Sequence, residues 1–401
     1  MKLLFIQGGS RWKYDNKHNI YTDANFNMQI WDRYIGLCDH LTVILREEDC
    51  IYDEAEARER FNLFDPSQAR SVGVPDLYAP IGHFFDLHLR NKAEKTIREE
   101  VSGADKVIIR SLGNFYTNTA LKYAKKFGVD CLVEVTGFAL EGSWYHSLKG
   151  KLVCLFRELS LVKNIRSAQY ALYVTQEALQ KRYPCDGNVL GCSDVEIQKI
   201  TQEVRNRRKY RIEEKRDRLI IGTAAFLDVR WKGQECVIQA VSSLKKRYPE
   251  KRIEYHMIGA GTGDRLKRSA ADLQVEDQIF FDGAIPHDKV FEWLDQIDVY
   301  IQPSFQEGLC RSIVEAMSRG CPVIASDVGG NYELVPRECL FHKGDADQLA
   351  ELILRSSQED FQSDYSEKSF DRALEFESEG LEKKRMQFYT DFINHRKTEC
   401  T

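Results

Sequence analysis

The sequence lacks any apolar run of the roughly 18 residues that a membrane-spanning helix needs, and it lacks a strong charge of either sign. Its 57 Lys and Arg residues are balanced by 62 Asp and Glu residues, which leaves a net charge of −5. A strongly basic nucleic-acid-binding protein is thereby excluded, so any phosphate binding must come from a local site. Apolar residues at 43% and charged residues at 30% exclude a disordered chain and a collagen, and 401 residues predict two domains.

The eleven cysteines include no Cys-x-x-Cys pair, which argues against a disulfide framework and against a zinc site. The apolar N-terminal stretch Leu3–Ile6 stops at Gln7-Gly8-Gly9 and is too short for the apolar core of a signal peptide. We therefore expect a cytoplasmic protein whose cysteines are reduced and serve as small core residues.

Short apolar strands alternate with amphipathic helices along most of the chain, a pattern typical of parallel sheets covered on both faces. The predicted strands are Leu3–Gln7, Leu41–Leu45, Lys106–Arg110, Cys131–Val135, Tyr170–Thr175, Leu219–Ala225, Ile253–Ile258, Gln278–Phe281, Val299–Gln302 and Pro322–Ser326. A charged segment at Glu203–Arg218 interrupts the alternation, which then restarts. We predict an α/β fold of two Rossmann-like domains, residues 1–200 and 201–369, that face a central cleft, with a closing helix at 370–397 packed back onto the first domain.

The densest chemical signal lies at residues 300–317, where a predicted strand ends near Gln302 and a helix begins near Arg311. Ligands of open α/β sheets bind at this carboxyl end of the strands. Free backbone N–H groups at a helix start, together with the helix dipole, attract phosphate. The candidate phosphate-binding residues are Gly308, Leu309, Cys310, Arg311 and Ser312.

Two carboxylates flank this helix start: Glu307 in the loop and Glu315 about one turn into the helix. A carboxylate can accept two hydrogen bonds from a vicinal diol. Glu315 is therefore a candidate for binding ribose, and Glu307 is a candidate for binding a sugar ring. The alternative is that Glu315 is a surface helix residue and that Glu307 interacts only with the helix dipole.

These residues resemble the signature of the family-4 retaining glycosyltransferases of the GT-B fold, of the bacterial polysaccharide-biosynthesis type. That signature is a Glu, seven residues and a second Glu, set between a strand and a helix. Gly320–Val335 resembles the family's next strand and Gly-Gly turn, and the whole resemblance covers Ile220–Leu354. It implies a retaining, metal-independent transfer from a nucleotide-diphosphate sugar to a saccharide or lipid-linked saccharide in surface-polysaccharide assembly, with no cofactor.

The loop Arg230-Trp231-Lys232-Gly233 follows the first predicted strand of the second domain. Two cations in a short loop suit a diphosphate whose leaving charge must be stabilised. The resemblance implies that Lys232 contacts the diphosphate. The Arg that the family places six residues before this Lys is replaced here by Phe226, so Arg230 is either its substitute or an ordinary solvated loop residue.

A glycine turn at Gly259-Ala260-Gly261 is followed by Asp264, where a dinucleotide-binding motif would need Gly or Ala. The resemblance instead implies that Gly259 and Gly261 lie beside the nucleotide. It also implies that the loop containing Ala284 meets the base. Ordinary glycine turns are the alternative interpretation of both segments.

The first domain supplies weaker candidates. Gly8 and Gly9 are predicted to form a turn after the first strand, and resembling enzymes bring this loop to the donor. Thr136 and Gly137 follow another predicted strand and, together with His146, are candidates for the acceptor pocket. The alternative for His146 is a packed or surface histidine.

Metal binding, location and reaction class each have an alternative. Asp345-Ala346-Asp347 resembles the D-x-D metal motif of another fold, but it precedes a predicted helix, so we assign it to N-capping and expect no metal. The basic helix Leu152–Ser167 is either a buried domain helix or a contact with the inner membrane, which would make the cytoplasmic protein peripheral on the membrane face. A nucleotide-sugar epimerase and a non-enzymatic nucleotide-sugar binding protein are the alternative functions.

Overall fold

The computed structural model describes residues 1–23, 26–138, 158–195, 197, 199–214 and 216–395, which form two compact α/β units. The first unit comprises Met1–Val174, Gln180–Cys192 and Lys383–Thr401, and the second comprises Thr175–Leu179 and Ser193–Glu382. The chain therefore passes between the units more than once, and the last helix belongs from Lys383 onward to the first unit.

The first unit is built on a nine-stranded sheet. Its strands are β1 (Lys2–Asp15), β2 (Ile20–Thr22), β3 (His40–Tyr52), β4 (Asn62–Phe64), β5 (Arg70–Val74), β6 (Lys106–Arg110), β7 (Asp130–Val135), β8 (Tyr170–Tyr173) and β9 (Asn188–Gly191). Seven strands are parallel in the order β5-β3-β1-β6-β7-β8-β9. The short strands β2 and β4 extend the sheet antiparallel from the carboxyl-terminal end of β1.

The turn predicted at Gly8-Gly9 is wrong, because β1 continues through both glycines to Asp15. The pairing of β1 with β3 is irregular at this point, which is how the strand accommodates the two glycines. A side chain on Gly8 would clash with Asn114, the N-cap of the helix Phe115–Phe127. Glycine is therefore needed here for a close approach within the unit, and it does not end the strand.

Helices cover the sheet of the first unit. Their described bounds are Met28–Ile35, Glu54–Arg60, Leu87–Ser102, Phe115–Phe127 and Ser378–Asn394, with a 3-10 helix at Ile81–Phe85. The last of these brings Tyr389 to β7, where its hydroxyl donates to Oε1 of the buried Glu134 at 2.7 Å. Tyr34 donates to the same oxygen at 2.9 Å, and Arg110 pairs with Oε2 at 2.6 Å. A fully partnered buried carboxylate therefore ties the last helix to the sheet.

The second unit is built on a six-stranded, wholly parallel sheet. Its strands are β10 (Arg218–Ala224), β11 (Arg252–Ile258), β12 (Ile279–Gly283), β13 (Val299–Gln302), β14 (Val323–Ser326) and β15 (Leu340–Phe341). Their spatial order is β12-β11-β10-β13-β14-β15, the doubly wound order in which the chain direction across the sheet reverses between β10 and β13. Ligands of such sheets bind at that reversal point, outside the carboxyl ends of the two strands.

The second unit contains eight described α-helices. They are Gln202–Glu213, Gln234–Arg247, Asp264–Asp272, His287–Leu294, Arg311–Ser318, Asn331–Leu334, Ala346–Ser356 and Glu359–Ala373, and a short helix at Ala178–Arg182 crosses between the units. Four 3-10 helices lie at Arg230–Lys232, Glu276–Gln278, Arg337–Cys339 and Leu374–Phe376. The core between sheet and helices is mainly aliphatic, with Ile221, Val299, Ile301 and Ile324 each fully buried.

Candidate functional site

The candidate site lies at the carboxyl ends of β10 and β13, where the strand order of the second unit reverses. The loop after β10 carries the 3-10 helix Arg230–Lys232, and the loop after β13 carries Glu307 and Gly308. The two loops are joined by a hydrogen bond of 2.7 Å from the N–H of Phe305 to the carbonyl oxygen of Trp231. Residues that are about 75 positions apart in the sequence are thereby held together.

Lys232 and Glu307 form the central contact of the site, with 2.7 Å between Nζ and Oε1. Both side chains are largely buried, at 23% and 11% exposed. Burial by itself lowers the pKa of Lys232, but the opposite charge of Glu307 outweighs burial and raises that pKa above its ordinary value. Lys232 is therefore charged at any physiological pH. The structure brings together the cation and the carboxylate that the sequence had assigned to one site.

The start of the helix Arg311–Ser318 provides a set of free backbone donors. Its N-cap residue, Cys310, supplies no side-chain cap to a backbone N–H, whereas caps are usually Ser, Thr, Asp or Asn; its Sγ lies 3.3 Å from the hydroxyl of Ser312. Within the part of the chain that the structure describes, the N–H groups of Gly308, Leu309, Cys310, Arg311 and Ser312 donate to no protein acceptor. An uncapped helix start next to Lys232 is suited to an anion such as phosphate.

Glu315 lies on the same helix and is 7% exposed. Its Oε1 is 2.9 Å from Nε2 of His287, the first residue of the helix His287–Leu294. The hydrogen bond to Glu315 raises the pKa of His287 above its ordinary value, although partial burial opposes the shift. His287 is a site residue that the sequence motifs did not identify, and it fixes one of the two oxygens of Glu315.

Phe226, at the position where the resembling family has an Arg, is 61% exposed. No cation therefore occupies that position. Arg230 is exposed, and its guanidinium has no hydrogen-bond or ion-pair partner within the described ranges. It is free to bind an anion, but the structure does not place it in contact with Lys232 or Glu307.

The glycine turn after β11 is held by a residue that the sequence motifs also missed. The carboxylate of Asp228 accepts hydrogen bonds from the N–H groups of Thr262 and Gly263, each at 3.0 Å. These N–H groups lie at the start of the helix Asp264–Asp272, so Asp228 occupies the anion-binding end of that helix. Gly259 and Gly261 both have positive φ, at 148° and 128°, which explains why glycine is required there.

The loop that contains Ala284 starts directly after β12. Gly283, the last residue of β12, accepts a hydrogen bond of 2.9 Å from the N–H of Gly259, so the start of the loop and the glycine turn are adjacent. Neither segment is brought into contact with Glu307 by a hydrogen bond of the described residues.

The candidates in the first domain lie in the first unit. Thr136 follows β7, and its hydroxyl is 2.7 Å from that of Ser111, a residue with φ of 58°. Gly137 is half-buried, and a side chain added to it would meet no atom within 4 Å. His146 lies outside the described residues. Gly8 and Gly9 lie within β1, as described above.

The described residues bear on the predictions about metal binding and membrane contact. Asp345 is the N-cap of the helix Ala346–Ser356 and accepts from the N–H of Gln348 at 2.9 Å, so its assignment to capping is confirmed. Over the described ranges, no three His, Cys, Asp or Glu side chains are grouped so that they could hold a metal ion. None of the described helices combines the length and the apolar character that a membrane span requires.

The chain is similar to known proteins in sequence and in structure. The family model described as glycosyl transferases group 1 matches residues 218–359. Protein CapJ of Staphylococcus aureus is 30% identical over 361 residues, which cover 89% of this chain and 86% of CapJ. The amylovoran biosynthesis glycosyltransferase AmsK of Erwinia amylovora is 35% identical over 115 residues, 26% of this chain and 28% of AmsK. The structure of Anabaena HepE in complex with UDP has a TM-score of 0.61 and 17% identity, over 96% of this chain and 99% of that one.

The two Rossmann-like α/β units have the GT-B fold of the solved glycosyltransferase structures that they resemble. The predicted fold class is thus confirmed. The extent and identity of the match to CapJ, together with the matched family model, give the narrower assignment: the chain belongs to the glycosyl transferases group 1 family.

Proposed function

We propose that the chain transfers a sugar from a nucleoside-diphosphate sugar to a hydroxyl group of a saccharide or lipid-linked saccharide, with retention of configuration and without a metal ion. The observation that carries this proposal is the Lys232–Glu307 pair beside the uncapped start of the helix Arg311–Ser318. It supplies a cation and free N–H donors for a diphosphate, and a carboxylate for sugar hydroxyls, in one place.

In the proposed complex the diphosphate lies at the helix start, against the N–H groups of residues 308–312. Glu315 binds the ribose, Glu307 binds hydroxyls of the transferred sugar, and Ala284 lies near the base. Lys232, joined by Arg230, neutralises the charge that grows on the departing phosphate. Glu307 Oε2 accepts no hydrogen bond from a described residue and is therefore available to the sugar.

The chemical step needs no separate protein base. The bond between the anomeric carbon and the terminal phosphate oxygen breaks, and the acceptor oxygen forms its bond to the same face of that carbon. The acceptor proton passes to the departing phosphate, so charge and atoms balance within the two substrates. Lys232 stabilises the leaving group at the stage when it carries the most charge, which is where an enzyme gains most.

The substrate class is supported by what is known of the similar proteins. AmsK acts in amylovoran biosynthesis, and HepE binds UDP. We therefore propose UDP-sugars as the donors to test first, and a growing bacterial surface polysaccharide as the acceptor. A lipid-linked acceptor would bring the enzyme to the cytoplasmic face of the membrane.

The test is transfer from a panel of radiolabelled UDP-sugars, with and without saccharide and lipid-linked acceptors, by wild type, Glu307→Gln and Lys232→Met. We expect each substitution to lower kcat by about 100-fold or more, the typical loss when one charged transition-state contact is removed. The matched controls are Lys245→Met and Asp277→Asn, which break an exposed ion pair of the same length, 2.7 Å, elsewhere in the unit.

The outcomes separate the proposal from its alternatives. Full activity in both Glu307→Gln and Lys232→Met would overturn the site. Conversion of a donor to its isomer without any acceptor would indicate an epimerase, and donor binding without product under every condition would indicate a binding protein. Unchanged activity of the Lys245 and Asp277 variants would show that the losses do not come from breaking an ion pair in general.

A further inference from the structure

Gln302 is a fully buried amide directly beneath the proposed sugar-binding carboxylate. It is the last residue of β13 and is 0% exposed. Its Nε2 donates to Oε1 of Glu307 at 3.2 Å and to Oγ of Ser304 at 2.7 Å. Its Oε1 accepts from the hydroxyl of Tyr300 at 2.9 Å and from the hydroxyl of Ser312 at 3.2 Å. A carboxamide can donate two hydrogen bonds and accept two, so this one is saturated.

Two of the four partners belong to different parts of the proposed donor site. Glu307 belongs to the loop after β13, and Ser312 belongs to the first turn of the helix Arg311–Ser318. Gln302 is thus hydrogen-bonded both to the carboxylate proposed for the sugar and to the helix start proposed for the diphosphate. Tyr300 is also fully buried. Its hydroxyl donates a hydrogen bond to the amide oxygen of Gln302 and accepts one from the N–H of Ala224, at the end of β10.

The contact also selects which oxygen of Glu307 remains available. Oε1 receives both Lys232 Nζ, at 2.7 Å, and Gln302 Nε2, at 3.2 Å. Two donors at one oxygen fix the rotation of the carboxylate, and Oε2 is left for a ligand. The amide at this position donates to a carboxylate and accepts from two hydroxyls at once, whereas an ionised Glu of similar size would only accept and a Met would do neither.

We infer that Gln302 is a positioning residue for sugar transfer: it holds the Glu307 carboxylate in the orientation that meets the sugar and links it to the helix start at Ser312. The inference rests on the function proposed above. It concerns the orientation of Glu307, so its effect belongs to the chemical step. The free nucleoside diphosphate lacks the transferred sugar that Glu307 is proposed to bind, so its binding is expected to be nearly independent of Gln302.

The experiment compares Gln302→Glu and Gln302→Met with wild type, using kcat and KM for sugar transfer and the Kd for UDP from calorimetry. We expect kcat to fall at least tenfold in both variants while the Kd for UDP changes less than about threefold. Gln362→Met is the matched control. Gln362 is also buried, and its side-chain amide donates a hydrogen bond to the carbonyl oxygen of Ser356 at 3.0 Å, but it lies on the helix Glu359–Ala373 rather than on β13. The control is expected to transfer sugar as wild type does.

The pH profile distinguishes positioning from a general loss of packing. In Gln302→Glu the new carboxyl faces Glu307, and at low pH a proton shared by the two restores a donor. The kcat of this variant relative to wild type should therefore rise as pH falls from 8 to 5.5, whereas the ratio for Gln302→Met should stay flat. A flat ratio for both variants, or kcat within threefold of wild type, would overturn the inference.

A double variant separates this inference from the proposed function. In the Glu307→Gln background, a further change of Gln302→Met should lower kcat by less than threefold, because the group that it positions is already altered. If Glu307→Gln and Lys232→Met are both fully active, the proposed function fails. If Glu307→Gln is inactive but both Gln302 variants match wild type, the proposed function stands and only the role of Gln302 is refuted.

Discussion

The contact between His287 and Glu315 makes the stability of the folded chain depend on pH. The carboxylate of Glu315 raises the pKa of His287 above the value of 6.5 that is normal for the unfolded chain. A raised pKa means that the pair stabilises the folded state fully below about pH 6.5, where the imidazole is charged in both states. That stabilisation is lost as the pH rises through the higher folded-state pKa.

We therefore expect the free energy of unfolding to be lowered by His287→Gln more at pH 6 than at pH 9. The difference should stay below about 1 kcal/mol, because the imidazole is 66% exposed and solvent screens the pair. Urea unfolding at the two pH values measures it. His342→Gln is the control, since this exposed histidine has no carboxylate partner within the described ranges. Equal losses at both pH values would contradict the expected ionic origin.

Residues of the site differ in how well the sequence could predict them. Glu307 and Lys232 were found because each lies in a motif after a predicted strand, and the structure pairs them. His287 and Gln302 could not be found in this way. His287 lies 28 positions before Glu315 on another helix, so no sequence pattern relates the two residues. The role of Gln302, a polar residue at the end of a buried strand, follows only from its hydrogen-bond partners in the structure.

At the scale of elements, Gly233 controls the approach of the two loops that form the site. Its φ is +74°, and a side chain there would clash with the carbonyl oxygen of Pro303. Glycine therefore lets the loop after β10 pass close enough to the loop after β13 for Lys232 to reach Glu307. The two loops depend on this single position for their spacing.

We expect Gly233→Ala to lower the free energy of unfolding by about 1–3 kcal/mol, from the strained backbone alone, and to abolish sugar transfer. Chemical denaturation and the transfer assay measure the two effects. Gly380→Ala is the matched control: this glycine lies in the helix Ser378–Asn394 with no atom within 4 Å of an added side chain. The control should be neutral or stabilising by up to about 1 kcal/mol. Comparable losses in both variants would contradict a specific role for Gly233.

The strands and helices of the second unit were largely predictable, because fully buried parallel strands and amphipathic helices leave strong patterns. Val299–Gln302 and Lys106–Arg110 were predicted at their observed bounds. The short strands β2, β4, β5, β9 and β15 are not predicted by the sequence, since segments of two to five residues carry too little alternation. The extension of β1 beyond Gly8 was missed for the opposite reason: glycines normally end a strand, and here they allow close packing.

At the scale of the whole molecule, a ligand that binds only the folded chain must stabilise it. We expect UDP at 100 times its Kd to raise the free energy of unfolding by about 2.7 kcal/mol. The increase should be the same with and without a chelator of divalent cations. Thermal unfolding with UDP, and with uridine as the control that lacks the diphosphate, measures it. A shift that appears only with Mg²⁺ or Mn²⁺ would contradict metal independence.

The internal pairing of Lys232 with Glu307 has a consequence for how the donor arrives. A cation that already has its counter-charge 2.7 Å away produces almost no field at long range. Under the proposed function, attraction of an approaching sugar nucleotide over many ångströms would come from exposed cations such as Arg230 and Arg311. Lys232 would act after arrival, when the phosphate competes with Glu307 for it, which would assign capture and chemistry to different cations.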